Sequence, residues 1–170
     1  MEIKIFTIRM ASNLETIRSL VFDVPSEQAR WRPAPDKWSI LEVVNHLWDE
    51  EREDFRTRLQ MTLTNPKEAW PGIDPPGWVN EREYNQRDLA ESLEGFLAER
   101  RQSISWLGAL ESPHWENAYQ HPLLGEIKAG TLLTSWVAHD YLHLRQLTKL
   151  HLDYVLAKAT PYGMDYAGNW

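Results

Sequence analysis

Two histidines four residues apart, His139 and His143, interrupt an otherwise apolar helical stripe in the segment Thr131–Leu150. Residues i and i+4 of an α-helix project from one face, one above the other. Leu132, Trp136, Leu147 and Leu150 share that face. The chain therefore turns two imidazoles inward where leucines would pack better, and each needs a hydrogen-bond partner or a ligand. A divalent metal fits the spacing, because both ring nitrogens can reach one ion. Two hydrogen-bonded structural histidines fit it equally well. The sequence between them, HDYLH, lacks the glutamate of a zinc-protease helix, and no second acidic partner matches a phosphohydrolase His-Asp site.

A metal needs a third ligand. His46 stands seven residues after Ser39, on a second helical segment whose stripe is Ile40, Val44, Leu47, Trp48 and Phe55. Projected at about 100° per residue, His46 falls beside Val43, off the stripe's centre, where a ligand at the edge of an interhelical groove would sit. Asp140 points away from His139 and reads as a solvated residue or one that orients a ligand ring. Arg100 shares a face with Leu93, Phe96, Ile104 and Leu107, so its guanidinium must find carboxylates. Asp49 and Glu50, one turn after His46, are the candidates, either for pairing Arg100 or for bonding to a ligand ring. His121 is a weaker candidate for a fourth ligand, and His114 and His151 read as surface residues.

The elements that position these side chains read as four long helices. The first runs from Ser12 to Val24, with a capping-box spacing at Ser12 and Glu15 and the first eight residues as a helical lead-in. The second starts at the Ser39/Glu42 capping box and ends before Asn65-Pro66. Lys67–Val79, with three prolines and two glycines, is expected to be a loop. The third helix spans about Asn85–Leu110, a loop covers His114–Gly130, and the fourth is Thr131–Leu150. The aromatic tail, with Tyr154, Tyr162, Tyr166 and Trp170, is expected to pack on the surface or on a partner chain. This pattern predicts an all-α four-helix bundle formed by a single domain over residues 1–170, with its core in 12–150.

Composition narrows the chemistry. Cysteine is absent, so disulfides, thiolate ligands and a cysteine nucleophile are excluded, and nitrogen and oxygen ligands favour zinc, nickel, iron or manganese. The net charge of -7 comes with no basic stripe, which argues against a nucleic-acid partner. No run approaches the roughly 18 apolar residues of a membrane span. The N-terminus does not resemble a signal peptide, so a cytoplasmic location is expected.

The run Lys37-Trp38-Ser39 through Asn45-His46-Leu47, then Phe96-x-x-x-Arg100, His121-Pro122-x-x-Gly125 and His139-Asp140-x-x-His143-Leu144-Arg145-Gln146-Leu147 resembles the DinB-like family of metal-binding bundles. The resemblance spans about residues 12–150. It implies a bundle with a long crossover connection, a homodimer, and a divalent metal, zinc or nickel ahead of iron or manganese, held by His46, His139 and His143. It further implies a metal-dependent enzyme, foremost an S-transferase joining a low-molecular-weight thiol to an electrophilic substrate. The alternatives are a hydrolase using hydroxide generated at the metal, or a metal-binding stress protein without turnover.

Overall fold

The computed structural model describes residues 1–168. Its long elements are α1 (Ile3–Val21), α3 (Ile40–Asp49) continued by a π-helical turn (Glu50–Phe55) and α4 (Arg56–Thr64), α6 (Leu89–Gly108) and α7 (Ala129–Ala159). Short α2 (Ser26–Arg30) and α5 (Pro75–Glu81) lie in the connections, and a hairpin of β1 (Ala118–His121) and β2 (Gly125–Lys128) precedes α7. The protein is an all-α four-helix bundle with this small two-stranded addition.

Helix α1 packs on α6 and α7, and so does the α3–α4 rod, which leaves α1 and α3 diagonal to one another. The connections after α1 and after α6 therefore cross the bundle instead of joining neighbours. Gly95 of α6 allows a close approach to α3: a Cβ there would lie 2.4 Å from the Trp48 ring.

Local signals explain the starts of the elements. Ser39 Oγ accepts from the Glu42 N–H while the Glu42 carboxylate accepts from the Ser39 N–H, the reciprocal cap expected from the sequence. Arg32 pairs with the same Glu42 and so ties the irregular segment before Trp38 to the start of α3. Asp74 caps α5 with Pro75 at its first position, which corrects the expected loop over Lys67–Val79. Asp88 caps α6, so the third helix begins at Leu89, with Asn85 in a short 3-10 turn before it.

Other boundaries moved as well. Helix α1 begins at Ile3, so Ser12 is mid-helix, where its backbone is already paired and no cap is needed. The lead-in is helical as expected. His114–Gly130 contains the hairpin, its turn closed by Gly125 at φ +73°. Helix α7 continues nine residues beyond Leu150 because nothing in HLDYVLAKA stops it. Tyr154 thus lies on the helix, edge-on to Trp31 at 5.5 Å, while Tyr162 and Tyr166 are exposed; Trp170 lies outside the described residues. No helix of the described residues is long and apolar enough to cross a membrane.

The interior is layered. One apolar cluster gathers Leu14, Ile17, Leu47, Phe96 and Leu147; another gathers Met10, Phe55, Leu107, Leu133 and Trp136. Each long helix brings buried polar residues to the level between the two clusters: Asn13, then His46, Asp49, Glu50 and Glu51, then Arg100, then Asp140 and His143. Burying that many polar groups is tolerable only where they satisfy one another or hold a ligand.

Candidate metal centre

His46 on α3 and His139 and His143 on α7 meet in that polar layer. The His139 Nε2 lies 3.0 Å from the His143 Nε2 and 3.3 Å from the His46 Nε2. The three rings are the group of side chains, among the described residues, whose ligand atoms converge as a metal requires. His46 is 5 % exposed and His143 8 %. The expected edge position of His46 does not exist, because nearly every residue of α3 is buried. Trp38 covers the His46 ring at 4.9 Å and Phe55 covers His139 at 5.1 Å.

Burial, followed by the neighbouring His143, pushes His46 down to about 3 and His139 down to about 2. Burial also lowers His143, against the pull of Gln146. All three rings are therefore neutral at pH 7. Gln146 Oε1 accepts from the His143 Nδ1 at 2.8 Å, which leaves a lone pair on that ring's Nε2. The His139 Nε2 lies between that nitrogen and the His46 Nε2 and can offer at most one proton, so at least one of the two contacts carries no hydrogen bond. A cation removes that conflict, and nitrogens bonded to one tetrahedral zinc at 2.0–2.1 Å stand about 3.3 Å apart. The residues present fit a divalent ion with three imidazole ligands. Among the described residues the buried Nδ1 of His46 has no hydrogen-bond partner.

Behind the rings stands a charge network. Arg100, 1 % exposed, donates from both terminal nitrogens to Asp140 at 2.7 Å and from Nε to Glu51 at 2.8 Å. Trp136 Nε1 donates to Glu51 at 3.0 Å, and Asn13 donates to Asp140 at 3.0 Å. Two carboxylates face one guanidinium, so the network carries one formal negative charge; Asp140 acts on His143, where it favours a cation, while the Arg100 guanidinium acts on His139. Asp140 is fully buried, which removes the solvated alternative.

The expected partners of Arg100 were Asp49 or Glu50; Glu51 and Asp140 hold it instead. The π turn supplies the reason. It inserts one residue into the helical repeat, so the face one turn after His46 carries Glu50 and Glu51 instead of Asp49 and Glu50. Asp49 turns away and accepts from Arg82 and Tyr84 at 2.6 Å and from Arg52 at 2.7 Å. Those donors, Tyr84 first, hold its carboxyl below the usual range although burial acts to raise it.

Glu50 faces the His139 ring. Its Oε2 lies 3.7 Å from the His139 Nε2. Burial and then the adjacent Asp54 carboxyl push Glu50 up to about 8. His121 is in the hairpin, its Nδ1 accepting from the Leu123 and Leu124 N–H groups, and is not part of the ring cluster. His151 is half-buried, with its Nε2 donating to the Leu20 carbonyl, which corrects its expected surface position. Tyr141 is exposed. Glu51 was not anticipated from the sequence, since nothing local announces a π turn; Gln146, one turn after His143, stands at a spacing that could have been read.

The family model of the DinB superfamily matches residues 10–147. The chain belongs to the DinB superfamily. Among solved structures it is similar to YfiT from Bacillus subtilis, described as a probable metal-dependent hydrolase with an unusual four-helix bundle topology. The TM-score is 0.78 at 19 % identity, over 88 % of this chain and 85 % of that one. At that identity the likeness establishes the DinB-like fold and nothing finer. No curated protein matches the sequence significantly.

Proposed function

We propose that the protein is a metal-dependent enzyme whose divalent ion, zinc or nickel ahead of iron or manganese, is held by His46, His139 and His143. The observation that carries this is the convergence of three neutral rings, with Nε2 atoms 3.0 and 3.3 Å apart, inside a layer biased negative. Three imidazoles leave such an ion its positive charge and open positions, and its chemistry there is to lower the pKa of a bound thiol or water toward neutrality.

The reading we favour is transfer of a small external thiol to an electrophile. The chain has no cysteine of its own, so the sulfur nucleophile comes from a cosubstrate. Sulfur forms a bond to the electrophilic carbon, that carbon releases its leaving group, and the thiol proton goes to a base. Glu50, 3.7 Å from the His139 Nε2 and raised to about 8, takes it only in its ionised form, so the step is favoured as pH rises toward 8. Gln146 fixes the His143 tautomer, and Trp38 and Phe55 pack against the His46 and His139 rings.

The same Glu50 favours a second reading, hydrolysis, because a carboxyl that titrates near 8 can give its proton to the leaving group and recover one from the attacking water. The similarity to YfiT supports that version. Zinc- or nickel-loaded protein assayed with monochlorobimane and a panel of thiols, and separately with activated esters, decides between them. Turnover of either class that disappears in His139→Ala supports an enzyme, whereas no turnover above that background with any substrate, despite one metal per chain, leaves a binding protein. Elution as a dimer in light scattering is the companion expectation.

A further inference from the structure

A groove of about 720 Å³ opens on the His143 side of the centre, between the irregular segment before α3 and the outer face of α7. His143 and Gln146 are in its wall, so it is continuous with the rings and their tautomer-fixing contact. Trp38, Leu142 and Leu150 make the lining mostly apolar, and Leu142 is 57 % exposed. The charges along it have one dominant sign: Lys37, Arg145 and Lys149 against Asp153. Lys149 is paired with Asp153 at 2.5 Å, and Lys37 with Asp36 at 2.8 Å. Arg145, exposed on α7, has no carboxylate within 4.0 Å among the described residues.

With Lys37 and Lys149 each paired to an aspartate, the surplus charge of the groove is the one positive charge of Arg145, on a chain whose net charge is -7. A local positive charge of this kind attracts anions. An arginine without a partner at the mouth of an apolar groove also offers the fork that carboxylates occupy in two parallel hydrogen bonds. We infer that this groove takes a small molecule carrying one or more carboxylates, whose anionic end lies against Arg145 and Lys149 while its body lies along Trp38 toward His143. The inference rests on the proposed reading in one respect: it is the anionic character of the thiol cosubstrate, or of the electrophile, that the groove selects.

The test uses full-length zinc-loaded protein and three probes: mercaptosuccinate, its dimethyl ester, and succinate, each titrated by calorimetry. Mercaptosuccinate is expected to bind at least tenfold tighter than the neutral ester, with the preference shrinking as salt is raised. The variant Arg145→Glu/Lys149→Glu should abolish that preference while still holding one zinc per chain, and the milder Arg145→Gln should reduce it. Equal affinity for acid and ester, a preference that survives in the charge-reversed variant, or binding of none of the probes overturns the inference. Zinc removal separates it from the parent reading. If mercaptosuccinate binds only with zinc present, the groove receives the thiol. If mercaptosuccinate and succinate bind equally and independently of zinc, yet still require Arg145 and Lys149, the groove stands as an anion site for the electrophile and thiol ligation fails.

Discussion

Gln146 accepts a hydrogen bond from the Nδ1 of His143 at 2.8 Å, and this contact decides which nitrogen of that ring is free. With the proton held on Nδ1, the Nε2 lone pair points at His139, 3.0 Å away. Partners of this kind orient a ligand ring and fix its tautomer, and their loss costs metal affinity about 10–100-fold. Gln146→Leu should therefore bind zinc at least tenfold more weakly in competition with a chromophoric chelator. Gln146→Glu, which keeps an acceptor oxygen at that place, should bind as tightly as the parent. Equal affinity in all three proteins would deny Gln146 this role.

The converging nitrogens also make a statement about the metal-free protein. Three ring nitrogens crowded at one point, with at least one contact lacking a hydrogen bond, add nothing to stability without a cation. In EDTA, His139→Ala should unfold no earlier than the parent. With zinc at about 100 times Kd the parent should gain about 2.7 kcal/mol and the variant nothing. Scanning calorimetry with and without zinc reads both halves, and a zinc-induced shift in the variant would contradict the three-ligand assignment.

The dependence on pH in EDTA combines two opposite signs. His46 and His139 titrate near 3 and 2 in the fold, below the ordinary 6.5, so the unfolded chain takes up their protons first. Stability is lost as pH falls from about 6.5 toward 3. Glu50 is raised to about 8, above its ordinary 4.5, so its contribution is complete below 4.5 and lost as pH rises through 8. Urea midpoints should therefore decline on both sides of a maximum, and Glu50→Gln, whose effect runs from pH 4.5 to 8, should flatten the alkaline limb up to pH 8 and steepen the acid limb between 4.5 and 6.5. An unchanged alkaline limb in that variant would show that Glu50 is not held protonated.

Arg100 joins three of the four long helices through Glu51, on the π turn, and Asp140, on α7. Removing one member of a buried ion network leaves the others charged and unpaired, at a cost of about 3–5 kcal/mol. Arg100→Met should lose that much in urea unfolding. Adding Glu51→Gln and Asp140→Asn to it should recover part of the loss, because the stranded charges go with them. A loss under 1 kcal/mol for Arg100→Met alone would mean that water or a local rearrangement replaces the guanidinium.

What could be read from the sequence was local in origin. The i,i+4 spacing of His139 and His143 needs only helical periodicity, and the Ser39/Glu42 cap needs only the first turn of α3. The inward position of Arg100 followed from the leucines and phenylalanine that share its face. These features depend on neighbours a few residues away, so the chain itself determines the helices, the His139/His143 pair and the presence of a buried guanidinium, whereas His46 joined the pair through the family resemblance.

The tertiary structure decided the pairings. Asp49, Glu50 and Glu51 are chemically near-equivalent and consecutive, and only the π turn between α3 and α4 assigns one to Arg82, one to His139 and one to Arg100. A single inserted residue rotates each acid onto the next face, and no short-range preference announces it. The groove beside His143 is likewise assembled from two segments about a hundred residues apart, and Arg145 looks like any solvated helix residue until Trp38 stands opposite. Periodicity can say that a charge must be satisfied; which partner satisfies it is settled by distances across the packed bundle, where charge–charge energies depend on a few ångströms.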